Sequence, residues 1–95
     1  MNTDLKALYK LLRAKSRWTQ GAWARDKKGD SVNPRSNAAT CWCLLGGIEK
    51  VTSSYRRQDS MKNALRESAD NTFLVRYNDG CSHQELLAVI KGAMK

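Results

Sequence analysis

The run Ala38-Ala39-Thr40-Cys41-Trp42-Cys43-Leu44-Leu45-Gly46-Gly47-Ile48 constrains the fold of this chain more than any other stretch. Its apolar side chains fall on every side at helical spacing. A helix that is hydrophobic all round must be enclosed by the rest of the chain. The segment is therefore expected to be the central helix of a small domain, capped by Ser36 or Asn37 and running to about Thr52. Gly46-Gly47 within it costs about 1–2 kcal/mol of helix propensity. A glycine pair there predicts close backbone approach by a neighbouring helix or hairpin.

The flanking segments supply the elements that would enclose it. Thr3 or Asp4 can open a first helix in which Leu5, Leu8, Tyr9 and Leu12 follow the i, i+3, i+4, i+7 pattern. Lys6, Lys10, Arg13 and Arg17 form a second stripe, roughly 120° from the apolar one at about 100° per residue. Asp26-Lys27-Lys28-Gly29 reads as a hairpin turn between short strands at Ala22–Arg25 and Asp30–Val32, ended by Asn33-Pro34. Ser53–Arg57 reads as a loop. Asp59 or Ser60 then opens a helix that buries Met61, Ala64, Leu65 and Ala69. Phe73–Tyr77 alternates like a short strand or a helix end, and Asn78-Asp79-Gly80 reads as a turn. Ser82-His83-Gln84-Glu85 is a capping-box sequence for a last helix burying Leu86, Leu87, Ile90 and Met94. The expected class is mainly α within α+β: about four helices packed around a central apolar helix, with a short β-hairpin after the first. The 95 residues are expected to form a single globular domain over 1–95.

Charge narrows the functional classes. Seventeen Lys and Arg against nine Asp and Glu give +8, and nine of the basic groups lie in residues 1–35 beside only three acidic ones. Such an excess favours an acidic partner: nucleic acid, an acidic protein face or an anionic membrane surface. No apolar run approaches the about 20 residues needed to span a bilayer, and the N-terminus lacks the apolar core of a signal peptide. Three cysteines, two of them one residue apart, do not form a disulfide framework, so a reducing, cytoplasmic setting is expected.

Four constellations bear on chemistry. Cys41, Cys43, Cys81 and His83 are four potential zinc ligands, but two helical residues two apart point about 200° from each other and cannot clasp one ion. Cys43 with His83 and Asp79 would make a nucleophile–base–orienter set. Burial within the apolar run works against it, because it raises a thiol pKa and blocks access. Arg17-Trp18, Trp23, Arg25, Lys27 and Lys28 interleave cations with indoles, the mixture used on single-stranded nucleic acid. Trp18 and Trp23, five apart, face different ways, so at least one is expected in the core. Asn78-Asp79 reads either as a self-bonded turn or as an anchor holding the hairpin through Arg25 and Asp79.

Several blocks occur together: Trp18-Thr19-Gln20-Gly21-Ala22-Trp23-Ala24-Arg25-Asp26, Gly29, Trp42-Cys43-Leu44-Leu45-Gly46-Gly47, Tyr77-Asn78-Asp79 and Ser82-His83-Gln84-Glu85-Leu86-Leu87. In this order and spacing the chain resembles a family of small uncharacterised proteins of bacteria and their phages. The family pattern is approximately G-A-x-A-R-D-x-x-G, W-C-x-x-G-A, N-D and a T/S-H helix. The resemblance carries over no catalytic residue. Gly47 stands where the pattern has alanine, which predicts looser packing there, and Cys41 and Cys81 fall outside the pattern.

The resulting expectation is a small basic, non-enzymatic interaction protein of phage or mobile-element type. Lys6, Lys10, Arg13, Arg17, Lys27 and Lys28 would engage the acidic partner, either nucleic acid or a host nucleic-acid-handling or defence complex. No cofactor is expected. The alternatives are a cysteine-dependent enzyme using Cys43, His83 and Asp79, and a small zinc module. An exposed hairpin edge is able to template a dimer.

Overall fold

The computed structural model describes residues 2–94. The elements in chain order are α1 (Asn2–Leu12), a 3-10 turn at Lys15–Arg17, β1 (Ala24–Asp26), β2 (Ala39–Trp42), α2 (Leu44–Val51), α3 (Tyr55–Ser68), α4 (Leu74–Gly80) and α5 (His83–Ala93). This is a mainly helical α+β fold with one small two-stranded antiparallel sheet.

The apolar run is not one helix. Its first half, Ala39–Trp42, pairs with β1 in the register Ala24↔Trp42, Arg25↔Cys41 and Asp26↔Ala39, with an irregularity between Arg25 and Asp26. Its second half becomes α2, which starts only at Leu44. A continuous apolar run is compatible with a buried strand or a buried helix, and here it is both in succession. Thr40, Cys41 and Trp42 suit a half-buried strand. The Cys43 N–H donates to the Trp23 carbonyl over 3.0 Å, which carries the ladder up to the first turn of the helix.

The expected turn at Asp26–Gly29 is present. Gly29 holds φ at 90° and its N–H donates to the Asp26 carbonyl over 2.9 Å. Asp26 Oδ1 also accepts from the amides of Lys28 and Asp30, both at 2.9 Å. The returning arm makes only an isolated bridge, Arg25↔Ser31, so the main partner of β1 is β2 rather than Asp30–Val32.

The glycine pair is explained by two different neighbours. A Cβ on Gly46 would stand 1.9 Å from the Trp23 carbonyl oxygen, so the strand approach passes directly over the helix backbone. A Cβ on Gly47 would meet Leu8 Cδ1 of α1 at 2.8 Å. Packing at Gly47 is therefore not loose: a leucine methyl fills the space that an alanine side chain would take.

Around α2 the core gathers Leu5, Leu8 and Leu12 of α1, Met61 and Leu65 of α3, Leu74 of α4, and Leu86, Val89 and Ile90 of α5. Of the apolar faces expected for α1 and α5, Leu5, Leu8, Leu12, Leu86 and Ile90 are buried, Tyr9, Leu87 and Met94 are half-buried, and Val89 joins the core in addition. The α3 helix starts earlier than its sequence suggests, because Ser54 caps it by accepting from the Arg57 amide over 3.3 Å. Residues 74–80 form a helix, which corrects both the strand reading of Phe73–Tyr77 and the turn reading of Asn78-Asp79-Gly80. The preceding turn uses two left-handed residues, Asp70 (φ 55°) and Asn71 (φ 62°), the residue types other than glycine that best tolerate that region. Ser82 and Glu85 form the reciprocal capping box of α5.

Candidate functional site

Two places collect the residues singled out in the sequence: a polar junction beneath the 18–21 loop, and the basic end of α1.

The junction centres on Asn78, whose side chain is 1% exposed. Its Oδ1 accepts from the Trp18 indole N–H (2.7 Å) and from the Leu44 amide at the start of α2 (3.0 Å). Its Nδ2 donates to the Thr19 carbonyl (3.1 Å) and to Asp79 Oδ1 (3.2 Å). The amide thus joins the loop, α2 and α4 with every polar atom satisfied, as burial requires. Asp79 Oδ1 also accepts from the Gly21 amide over 3.0 Å. Gln20 Nε2 donates to the carbonyls of Asn78 (2.9 Å) and Cys81 (3.1 Å). Arg25 does not pair with Asp79. Its guanidinium donates instead to Thr19 Oγ1 (3.0 Å), the Gln20 carbonyl (3.1 Å) and the Gly29 carbonyl (3.0 Å), clamping the loop to the hairpin.

Cys43 sits at the edge of this junction as the N-cap of α2, where Sγ accepts from the Gly46 amide over 3.3 Å. With Gly21, Ala22, Trp23, Val75, Asn78 and Asp79 it lines a cleft of about 140 Å³. Burial pushes its thiol pKa up, and the nearby Asp79 carboxylate adds to the rise, outweighing the backbone amides that favour thiolate. The imidazole needed to activate it is committed elsewhere. His83 Nε2 lies 2.7 Å from the Leu12 carbonyl, an acceptor, so that nitrogen carries the proton and closes the C-terminal end of α1. The ring also stacks on Trp18 at 5.5 Å between centroids. The remaining residues of the four-ligand zinc set are similarly dispersed. Cys41 faces the Arg25 carbonyl (3.9 Å) and Cys81 the Asn78 carbonyl (3.7 Å). Among the described residues no three Cys, His, Asp or Glu side chains gather where one ion would reach them.

The basic residues are arranged differently from a single helical stripe. α1 ends at Leu12, before the stripe is complete. The 3-10 turn at Lys15–Arg17 carries the chain onward, and Lys10, Arg13, Ala14 and Arg17 together line one depression of about 390 Å³. Lys6 is exposed one turn earlier on α1, and Lys27 and Lys28 are exposed at the hairpin turn. Among the described residues the one ion pair is Asp4–Arg57, which ties α1 to α3. The six predicted cations therefore have no carboxylate partner among those residues.

The blocks noted in the sequence thus converge physically. Arg25 and Asp26 build the loop and turn, Cys43 and Gly46 the start of α2, and Asn78 and Asp79 the junction. This fits a family-wide match: the sequence pattern described as "Family of unknown function (DUF6197)" covers residues 2–95. The chain belongs to DUF6197. No curated protein and no solved structure matches it. In this chain Arg25, Asp26, Cys43, Asn78 and Asp79 hold backbone and helix ends, while Lys6 and Lys10 of α1 make no such bonds among the described residues. No helix among the described residues is long and apolar enough to cross a membrane.

Proposed function

We propose that this protein is a non-enzymatic binding module that engages an acidic macromolecule through Lys6, Lys10, Arg13 and Arg17, with Lys27 and Lys28 at the hairpin turn as a second contact. One observation carries the reading. Lys10, Arg13 and Arg17 converge on a single open depression whose only other lining residue is Ala14, and none of them is neutralised by a carboxylate of the described chain. A depression lined by cations, with almost no apolar wall, suits a phosphate backbone better than a peptide side chain. Nucleic acid is therefore the favoured partner. A phage or mobile-element protein of this kind would meet such a partner directly or within a host nucleic-acid-handling or defence complex.

The test is binding to a labelled oligonucleotide across a salt series. Affinity falling as a power of salt set by about three to five phosphate contacts supports the reading. Binding that is absent or insensitive to salt overturns the nucleic-acid assignment. Capture of one host protein after nuclease treatment, lost when the α1 cations are neutralised, would assign the face to an acidic protein instead.

A further inference from the structure

We propose that a second surface, the groove between α3 and α4, docks an acidic amphipathic segment of a partner protein. The groove holds about 360 Å³ and is lined by Leu45, Lys62, Arg66, Phe73, Leu74 and Val75. This volume lies at the small end of the about 300–1,000 Å³ typical of ligand sites. Phe73 is 74% exposed and Val75 49% exposed. Val75 also borders the small cleft that Trp23, itself 44% exposed, helps to line. Single exposed apolar residues are ordinary, but exposed Phe73 and Val75 set beside Leu45 and Leu74 in one groove are the kind of grouped apolar surface that protein interfaces present.

Charge selects the occupant. The two charged residues lining the groove, Lys62 and Arg66, are one helical turn apart on α3 and both cationic. Neither is in an ion pair among the described residues. A segment that places leucine-sized side chains against Leu45, Phe73 and Val75 and carboxylates against Lys62 and Arg66 satisfies both features. A second copy of the chain fits poorly, because a two-fold contact through this groove brings Lys62 and Arg66 of both copies together. Nucleic acid fits less well, because Phe73 is the single stacking plane among the groove's lining residues and aliphatic Leu45, Leu74 and Val75 make up the rest of its apolar wall. The face is separate from the basic depression of α1, so the inference does not rest on the reading above.

The experiment uses the full chain, labelled for NMR, and a fluorescent 12-residue peptide with Leu at i, i+3, i+4 and i+7 and Glu at most other positions. Saturable binding is expected, with shifts centred on Leu45, Lys62, Arg66, Phe73 and Val75. Phe73→Ser should weaken it at least tenfold without unfolding the chain, since serine is a favourable residue at this helix N-cap. The double change Lys62→Glu/Arg66→Glu should weaken it at least tenfold and transfer preference to the same peptide with Lys in place of Glu. Neutralising Lys10, Arg13 and Arg17 should leave the groove shifts in place. Four results would overturn the proposal: no binding, equal binding by a Glu peptide without Leu, groove shifts produced by an oligonucleotide instead, or a concentration-dependent dimer abolished by Phe73→Ser.

Discussion

The indole N–H of Trp18 donates to the side-chain oxygen of Asn78 over 2.7 Å, across sixty residues of sequence. The same oxygen holds the first amide of α2, so one buried side chain fixes the loop and the central helix together. Replacing it with alanine strands two donors and the Thr19 carbonyl. Asn78→Ala should cost about 3–4 kcal/mol in urea unfolding. Asn78→Asp keeps the acceptor but loses the Nδ2 donor and buries a charge beside Asp79, so its folded pKa should lie above the unfolded value. Its penalty should be largest above that raised folded value and relax as the pH falls from there toward about 4, where the unfolded chain's aspartate takes up its proton as well. A penalty for Asn78→Asp that does not change with pH would contradict this account.

Gly46 and Gly47 are neighbours with opposite expectations. Gly46→Ala drives a Cβ into the Trp23 carbonyl, which is backbone held in the ladder, and should cost about 3 kcal/mol or more. Gly47→Ala meets only side-chain ends, Leu8 Cδ1 at 2.8 Å, Leu12 Cδ1 at 3.4 Å and Leu11 Cδ2 at 3.6 Å, so a small shift of the Leu8 methyl admits it, and alanine improves helix propensity by about 1 kcal/mol. It should be neutral within about 1 kcal/mol. Thermal unfolding of the two variants checks both.

The Arg57 guanidinium holds the Asp4 carboxyl below its usual value of 3.8, chiefly through a hydrogen bond; burial opposes this, and the guanidinium charge adds a smaller pull downward. A depressed carboxyl stabilises the fold above its unfolded pKa, and that stability is lost as the pH falls through the folded value. Arg57→Gln should therefore lower the Tm at pH 7. The gap between wild type and variant should narrow only once the pH drops below about 3.8. A gap unchanged down to pH 2 would show that the pair contributes nothing through ionisation.

Cys43 is buried with its thiol pushed toward the protonated form, whereas Cys41 and Cys81 are half-buried. In the native state iodoacetamide should alkylate Cys43 last, and in urea all three at similar rates. A native Cys43 that reacts first would move the account toward thiol chemistry.

Much of this was legible in the sequence because local rules decided it. The capping box at Ser82 and Glu85, the apolar spacing of α1 and the Asp26–Gly29 turn each depend on residues within a few positions of one another. The misread elements depend on distant partners. Ala39–Trp42 is a strand because β1 lies beside it, and α2 begins at Leu44 because Asn78, thirty-four residues on, takes its first amide. Phe73–Tyr77 alternates in hydropathy, yet it is helical at one end of a turn made by two left-handed residues whose conformation no periodicity reveals. The basic residues were legible individually. Their convergence on one depression was not, because it requires the helix to stop at Leu12 and the 3-10 turn to bring Arg17 back.

The role of that depression is tested most directly by the salt dependence of oligonucleotide binding in Lys10→Ala/Arg13→Ala/Arg17→Ala. The account predicts a folded protein whose slope of log affinity against log salt is shallower than wild type by about two to three units. An unchanged slope and affinity would contradict it.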